Sequence, residues 1–404
     1  MTEDRLALRR RYPTAQDLRR RARRVLPRFA FEYMDGGAGA DTGIARNWAA
    51  FDDVQLVPRY ARVIEPPAAG TELFGRAYAA PIGIAPIGGP GTVLPGAETY
   101  MAKAAQAARV PYTLGALSGI DVERAAELAP DVLWFQLYRF WRNDHEIGFD
   151  LARRAADAGA QALVLTVDTP IRTTRPREVK SGISNPFRLT ARLRLQALSS
   201  PRWLAALLQN GIPRFVSLAP YIGGNPGFAE TASFVEREFG GAFTWEEIAR
   251  YRDKWKKPLV LKGVLHPDDA ERAVSLGLDG IFVSNHGGRQ IDALPPPIDL
   301  LPAIAARVGG RATIIVDSGV RSGVDVARGI ALGADAAFAG KAFLWSLGAL
   351  GASGPGHLIE LFAADLRATL GQLGCANLEE LRSVAVRHDR AVAIGDGREA
   401  GGRG

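Results

Sequence analysis

The sequence points to an α/β fold, a closed (β/α)8 barrel of the TIM type, with an N-terminal helical cap and a long insertion after strand four. Three observations carry this expectation. Eight short apolar runs recur along the chain, stretches of helical periodicity separate them, and polar or glycine residues follow almost every run. The runs are Pro81–Ala85, Tyr112–Leu114, Leu133–Leu137, Ala162–Val167, Leu259–Leu261, Gly280–Val283, Thr313–Val316 and Ala336–Ala339. The helical stretches include Glu98–Ala108, Asp150–Ala158, Pro267–Leu276 and Val324–Leu332, each with an alanine-rich face. Strands that are apolar throughout, rather than alternating, belong to a parallel sheet covered by helices. A doubly wound open sheet is the alternative, but no GxGxxG opens a helix after the first run.

Two segments fall outside the repeat. Residues 1–75 precede the first run and read as a cap, ahead of a barrel over 76–350 and C-terminal helices and tail over 351–404, all within one domain. Residues 180–240 are far longer than an ordinary βα loop. They mix Arg188, Arg192, Arg194, Arg202 and Arg214 with Phe187, Leu189, Leu193, Leu195, Leu198, Trp203, Leu204, Leu207, Leu208 and Phe215. Such a mixture fits either a lid packed on the barrel or a surface lying on an anionic bilayer.

Composition narrows the function classes. The chain has 404 residues, 47% hydrophobic and 23% charged, as expected of a soluble globular protein with a large core. No apolar run approaches the roughly 18 residues of a spanning helix. The net charge is +7, and only seven of the 50 basic residues are lysine. A basic balance suits nucleic acid, an anionic membrane or anionic substrates. No nucleic-acid motif is present, so nucleic acid is not an expected partner. The lone Cys375 excludes an internal disulfide and a CxxC metal site, reads as structural, and fits a cytoplasmic protein without a metal. The arginine-rich N-terminus lacks an apolar stretch, so it reads as the solvated face of opening helices rather than a secretory signal.

The chemistry is expected at the C-terminal ends of the strands, where barrels of this kind build their sites. Gln136 and Tyr138 follow the third run, Thr166 and Asp168 end the fourth, and Lys262 follows the fifth. Ser284, Asn285, His286 and Arg289 follow the sixth; Asp317, Ser318, Gly319 and Arg321 the seventh; Gly340 and Lys341 the eighth. The last two groups suit a phosphate, because glycine lets the backbone N–H groups approach while Arg321 and Lys341 supply charge. His286 is the best base candidate of the five histidines, since Gly287 and Gly288 leave room for a ligand and Arg289 can hold a carboxylate beside the proton removed. The other four histidines, His145, His266, His357 and His388, read as surface residues. Asp168 can orient the imidazole, with a rim ion pair as the plainer reading. A buried Lys262 ammonium needs an anionic or carbonyl partner.

The run Ser284-Asn-His-Gly-Gly-Arg-Gln-Ile-Asp292 resembles the active-site signature of FMN-dependent L-2-hydroxy acid oxidases and dehydrogenases, the family of glycolate oxidase and of lactate and mandelate dehydrogenases. Tyr33-Met-Asp-Gly-Gly-Ala38, Phe135-Gln-Leu-Tyr138, Thr166-Val-Asp-Thr169, Leu261-Lys-Gly263 and Asp317-Ser-Gly-Val-Arg321 match in order, over residues 15–380. The resemblance implies His286 as general base with Asp168 as partner, Arg289, Arg175 and Tyr33 on the substrate carboxylate, and Tyr138 near the substrate hydroxyl. It implies Lys262 at the flavin N1/C2 edge and the turn Pro86, Ile87, Gly88 at N5. Gly115, Gln136, Thr166 and Ser284 would meet the ring or ribityl chain, and Asp317, Gly319, Arg321, Gly340 and Lys341 the ribityl and phosphate end. The chain departs from the pattern at several points. Gly115 stands where Ser or Thr is frequent, Ser318 replaces the first Gly of a DGG turn, and Lys341 replaces an arginine, keeping charge without a planar fork. Leu117 stands where glycolate oxidase has tryptophan, Gly88 matches the mandelate dehydrogenase type, and Arg177 is the alternative to Arg175.

The implied reaction is oxidation of a lactate- or mandelate-like L-2-hydroxy acid to the 2-oxo acid. His286 would take either the hydroxyl proton during hydride transfer or the C2 proton. The implied acceptor is a quinone, with peripheral membrane contact through 180–220; the alternative is a soluble oxidase that uses O2 and releases H2O2. A homo-oligomer, a tetramer in this family, is expected. An FMN barrel isomerase, such as type 2 isopentenyl diphosphate isomerase, or a non-catalytic flavoprotein would lack use for the carboxylate-binding arginines.

Overall fold

In a computed structural model of the chain, residues 3–62, 65–171, 173–183, 190–223 and 228–392 are described. Phe187, Arg188 and Leu189 of the insertion, and the tail beyond 392, lie outside them.

All eight expected strands form, and they close into one parallel barrel. They are β1 (Ile82–Ile84), β2 (Tyr112–Gly115), β3 (Leu133–Leu137), β4 (Leu163–Thr166), β5 (Leu259–Val264), β6 (Gly280–Val283), β7 (Thr313–Val316) and β8 (Ala336–Ala339). Closure runs from β8 to β1 through the pairing of Phe338 with Gly83. Every residue of β1–β4, β6 and β8 is buried, which is why these strands read as apolar runs without alternation. Trp134, Phe282 and Phe338 fill the barrel interior, with ring centroids 5.0–5.3 Å apart. Gly83 has no side chain because the Phe338 ring occupies that space. A hairpin, Thr71–Leu73 with Arg76–Tyr78, sets Phe74 against Trp134 and the first residue of β6, closing the N-terminal mouth.

The cap is helical through residue 52 and ends in a short strand, Gln55–Val57, that pairs antiparallel with Ala385–Arg387 of the C-terminal segment. Its second helix, Ala15–Val25, starts with a capping box between Thr14 and Asp17 and packs on helix Lys341–Leu350. The solvated reading of the N-terminal arginines holds for Arg20, Arg23 and Arg24 but not for Arg19. Its guanidinium grips the buried Asp35 through two bonds of 2.6 and 2.8 Å. Arg177 and the Trp345 indole N–H also reach Asp35, at 3.0 and 3.1 Å. This network docks the cap on the rim of the barrel.

The insertion folds into short helices, among them Ala191–Leu198, Pro201–Asn210 and Phe228–Glu238. Its apolar residues divide between two surroundings. Leu193, Trp203 and Leu218 are buried, and Trp203 packs edge-on against Phe29 at 5.4 Å. Leu195, Leu198, Leu208 and Ile212 are 62–81% exposed. Among the described residues, no helix is long and apolar enough to cross a membrane.

Candidate active site

The C-terminal rim of the barrel opens into a cleft of about 440 Å³. At its centre is the loop after β6. His286, Gly287 and Gly288 run consecutively through the left-handed region, with φ of 59°, 68° and 69°. For a histidine this costs roughly 1–2 kcal/mol, so the surroundings must impose it. They do so through polar side chains. The Ser284 hydroxyl accepts from His286 N at 3.1 Å, and the Asn285 carboxamide from Gly288 N at 3.1 Å. The Ser318 hydroxyl accepts from Asn285 N at 3.2 Å and Gly287 N at 2.9 Å, while donating to Asp317 at 2.7 Å. Asn285 and Asn47 exchange a reciprocal buried pair of amide bonds, 2.9 and 2.7 Å, which joins the loop to cap helix Thr42–Asp52. At the end of the loop, Asp292 accepts from Ala40 N and Gly43 N at the start of that helix. Those N–H groups hold its carboxyl below the usual range against the opposing effect of burial.

This backbone directs His286 Nδ1 at Asp168 Oδ1, 2.9 Å away. A carboxylate only accepts, so Nδ1 carries the hydrogen and Nε2 of the neutral ring is left with a lone pair. Burial would raise the Asp168 carboxyl, but His286 and Lys262 pull it below the ordinary value, so the partner stays ionised. Gly263 makes this position possible. Its φ is +104°, and a Cβ there would sit 2.5 Å from Asp168 Cβ. Lys262 lies one residue earlier, buried, with Asp317 at 2.9 Å and Ser284 Oγ at 2.7 Å. Tyr138 lines the same cleft. Burial, then the Asp168 charge, pushes its phenol well above the normal value, so it stays a neutral donor.

Across the cleft, Arg289 is anchored rather than loose. Nη1 donates to the carbonyls of Tyr33 and Gly36, at 2.7 and 3.0 Å, and Nη2 to Glu178 at 2.7 Å. Arg175 donates to the Arg289 carbonyl at 3.2 Å and faces Glu178 at 3.3 Å. Arg175 and Arg177 differ in their surroundings. Arg175 lines the cleft, whereas Arg177 is consumed by Glu32, Asp35 and Asp41. The Tyr33 hydroxyl donates to the Gly88 carbonyl at 2.6 Å, linking the cap to the turn after β1. That turn presents bare backbone, since a Cβ on Gly88 would touch only Leu117, at 3.9 Å.

Of the other sequence-derived candidates, Pro86, Ile87, Thr166, Asp317, Gly319 and Gly340 line the cleft. Gly115, Gln136 and Ser284 stand immediately behind it: Gln136 donates to Thr166 Oγ1 at 2.8 Å, and a Cβ on Gly115 would meet Gln136 and the Ile87 carbonyl. Arg321 does not line it; its guanidinium is held by Asp52 at 2.8 Å and Asp325 at 3.2 Å. Lys341 lines the cleft, but its ammonium bonds the carbonyls of Met34, Asp35 and Gly36 beside Arg289, not the Gly319–Arg321 turn. Burial, then the Arg289 charge, lowers its pKa well below normal, against the opposing pull of Asp35 and Asp41.

The surface reading of the other histidines needs correction. His145 and His357 are buried because Glu247 and the Tyr12 carbonyl, each at 2.9 Å, satisfy a ring nitrogen; the His388 ring is buried beside Asp299, and only His266 is half-exposed. Three contributors to the site escaped the sequence reading. Glu178 had a signal, an acid three residues after Arg175 in a one-turn helix. Phe239, edge-on to Tyr138 at 4.8 Å, and Asn47 had none, because distant segments deliver them.

The residues present fit FMN. A buried ammonium stands at a strand end, a second bonds only to backbone carbonyls among the described residues, two glycine-bearing turns face the cleft, and the ten-residue helix Lys341–Leu350 begins at its wall. The profile of the FMN-dependent dehydrogenases matches residues 22–388. The chain is 39% identical to an L-lactate dehydrogenase of Caulobacter sp. (strain K31) over 376 residues, 93% of this chain and 98% of the relative. It is 38% identical to an L-lactate dehydrogenase of Xanthomonas euvesicatoria pv. vesicatoria, over 94% and 98%. Among solved structures it resembles the monotopic membrane protein (S)-mandelate dehydrogenase, with TM-score 0.87, 30% identity, and 93% and 99% coverage. It also resembles mandelate oxidase, with TM-score 0.79 and 35% identity over 93% and 99%.

Replacing Asp168 by Asn removes the charge that fixes the imidazole. Steady-state turnover is expected to fall by about 10²–10⁴, with FMN content, read from the absorbance spectrum, unchanged. The chain belongs to the FMN-dependent dehydrogenases, the family of 2-hydroxy acid dehydrogenases and oxidases.

Proposed function

We propose that the protein oxidises an L-2-hydroxy acid with an apolar, lactate- or mandelate-like side chain to the 2-oxo acid and passes the electrons to a quinone at a membrane surface. The observation that carries the reading is the convergence of an Asp168-oriented imidazole and two partly buried arginines on one cleft. FMN bound there supplies the two-electron oxidation. Lys262 and the turn Pro86–Gly88 would hold its ring, Gln136, Thr166 and Ser284 the ring or ribityl chain, and the Gly319 and Gly340 turns its phosphate end, with Lys341 swinging from the Gly36 carbonyl.

His286 Nε2 accepts the proton. Arg289, Arg175 and Tyr33 hold the substrate carboxylate, which fixes the orientation of C2 and its hydroxyl. The Tyr138 phenol donates a hydrogen bond near that hydroxyl. Leu117, Phe215 and Phe239 give an apolar wall for the side chain. The imidazole and arginines give a phosphate-substrate isomerase no use for them, which favours hydroxy acid chemistry.

The insertion supports this acceptor and location. Its helices expose leucines beside the exposed Arg192, Arg194 and Arg202. Each leucine contributes roughly 1.5–3 kcal/mol if fully buried, and each arginine about 1 kcal/mol near anionic lipid. Together these suffice for reversible peripheral docking, and the similar mandelate dehydrogenase is a monotopic membrane protein.

Anaerobic addition of glycolate, L-lactate and L-mandelate to the FMN-loaded protein tests the chemistry. Bleaching of the flavin band by an L-acid and not its enantiomer, followed by faster reoxidation with a soluble quinone than with O2, is expected. No bleaching by any of the three contradicts the substrate reading, and faster reoxidation by O2 makes the protein an oxidase. Co-sedimentation with phosphatidylglycerol vesicles tests the docking. Joint replacement of Leu195, Leu198 and Leu208 by Ser should abolish it while flavin reduction stays intact; vesicle binding equal to the unaltered protein contradicts the docking face.

A further inference from the structure

The carboxylate end of the cleft already contains a carboxylate of the protein's own. Glu178 Oε1 lies 2.7 Å from Arg289 Nη2 and 3.3 Å from Arg175 Nη1, so one oxygen bridges the two cations assigned to the substrate. Glu178 is about one-eighth exposed and lines the cleft. It is not held there by helix geometry alone. Arg175 is the N-cap residue of helix Pro176–Ser181, and Glu178 lies in the first turn.

The donors of Arg289 show what this contact leaves open. A guanidinium has five N–H groups in a fixed fork. Both on Nη1 are directed to the carbonyls of Tyr33 and Gly36, and one on Nη2 goes to Glu178. Among the described residues Nε–H has no partner, and Nε and Nη2 share one edge of the guanidinium, the edge that can take a carboxylate bidentately. Glu178 and the two carbonyls therefore fix the guanidinium through Nη1 and Nη2 and leave the donor on Nε.

The charges make the same point. Arg175, Arg289 and Lys341 gather here, and among the described residues Glu178 is the carboxylate that touches both arginines. Without it the three cations would bind any small carboxylate, substrate and product alike. Tight uniform binding of both slows release of the 2-oxo acid and adds nothing to the chemical step.

We propose that Glu178 is a positioning residue and built-in counter-anion, which orients Arg289 for a single bidentate carboxylate and weakens the hold of the site on carboxylates so that the 2-oxo acid leaves. The proposal rests on the assignment of Arg289 and Arg175 to the substrate carboxylate. Its consequence is a site that takes monocarboxylates and repels a second carboxylate placed near the first.

The test is calorimetric titration of the FMN-loaded protein with pyruvate and with its uncharged amide, pyruvamide, for the unaltered chain and for E178Q and E178D. The Gln side chain still accepts from Arg289 but carries no charge. E178Q is expected to bind pyruvate at least fivefold more tightly, E178D to stay within twofold of the unaltered protein, and pyruvamide binding to be the same in all three. In steady-state assays with L-lactate, product inhibition by pyruvate should strengthen in E178Q by the same factor. Unchanged or weaker pyruvate binding by E178Q, with an unaltered protein that binds pyruvate and is reduced by L-lactate, overturns the proposal and leaves the function reading standing. An unaltered protein that does neither overturns both. If E178Q does not fold with FMN, Glu178→Ala takes its place with the same expected direction.

Discussion

The site depends on a left-handed stretch of backbone at His286, Gly287 and Gly288. Two of the three residues are glycine and accept the conformation without strain. The histidine does not, and its position is secured by hydrogen bonds that arrive from three directions: β6 through Ser284, the turn after β7 through Ser318, and the cap through Asn47 and Asn285. Each bond contributes about 1 kcal/mol, enough in sum to exceed the strain. The barrel brings β6 and β7 side by side, with Val283 paired to Val316, and so sets Ser318 under the loop. The cap is therefore part of the site and not an accessory to it, because the buried Asn47–Asn285 pair would be broken without it.

The same arrangement explains a departure from the family pattern. Ser318, which the resemblance sets against the first glycine of a DGG turn, itself adopts a left-handed φ of 70°. Its hydroxyl uses its full capacity, one donor and two acceptors, on Asp317, Asn285 N and Gly287 N. A residue that is costly in its own turn thus fixes the neighbouring one. Asp317 in turn holds Lys262, so the buried ammonium and the loop that carries His286 belong to one hydrogen-bonded unit.

The sequence carries the barrel because a parallel sheet leaves an unbroken apolar record, and all eight strands are legible within two or three residues at each end. His286, Asp168 and Lys262 are legible because strand ends in such a barrel converge on one rim. What is not legible depends on side chains that choose among partners in three dimensions. Arg321 and Lys341 stand in two motifs that suit a phosphate when read from the sequence, yet Asp52 and Asp325 claim the first and backbone carbonyls at the end of helix Arg28–Asp35 hold the second. His145 looks like a surface residue in a polar stretch, but Glu247, a hundred residues on, makes its burial tolerable. The insertion presents one composition and two fates, with Trp203 buried and Leu208 exposed.

The fold directs His286 Nδ1 at Asp168 and so fixes the tautomer, with the hydrogen on Nδ1 and the lone pair on Nε2. Nitrogen-15 NMR of histidine-labelled, FMN-loaded protein at pH 8, with His286→Gln to assign the signal, measures it most directly. A protonated Nδ1 and an unprotonated Nε2 for His286 are the expected result. A hydrogen on Nε2, or averaging of the two nitrogens by a freely turning ring, would contradict the account.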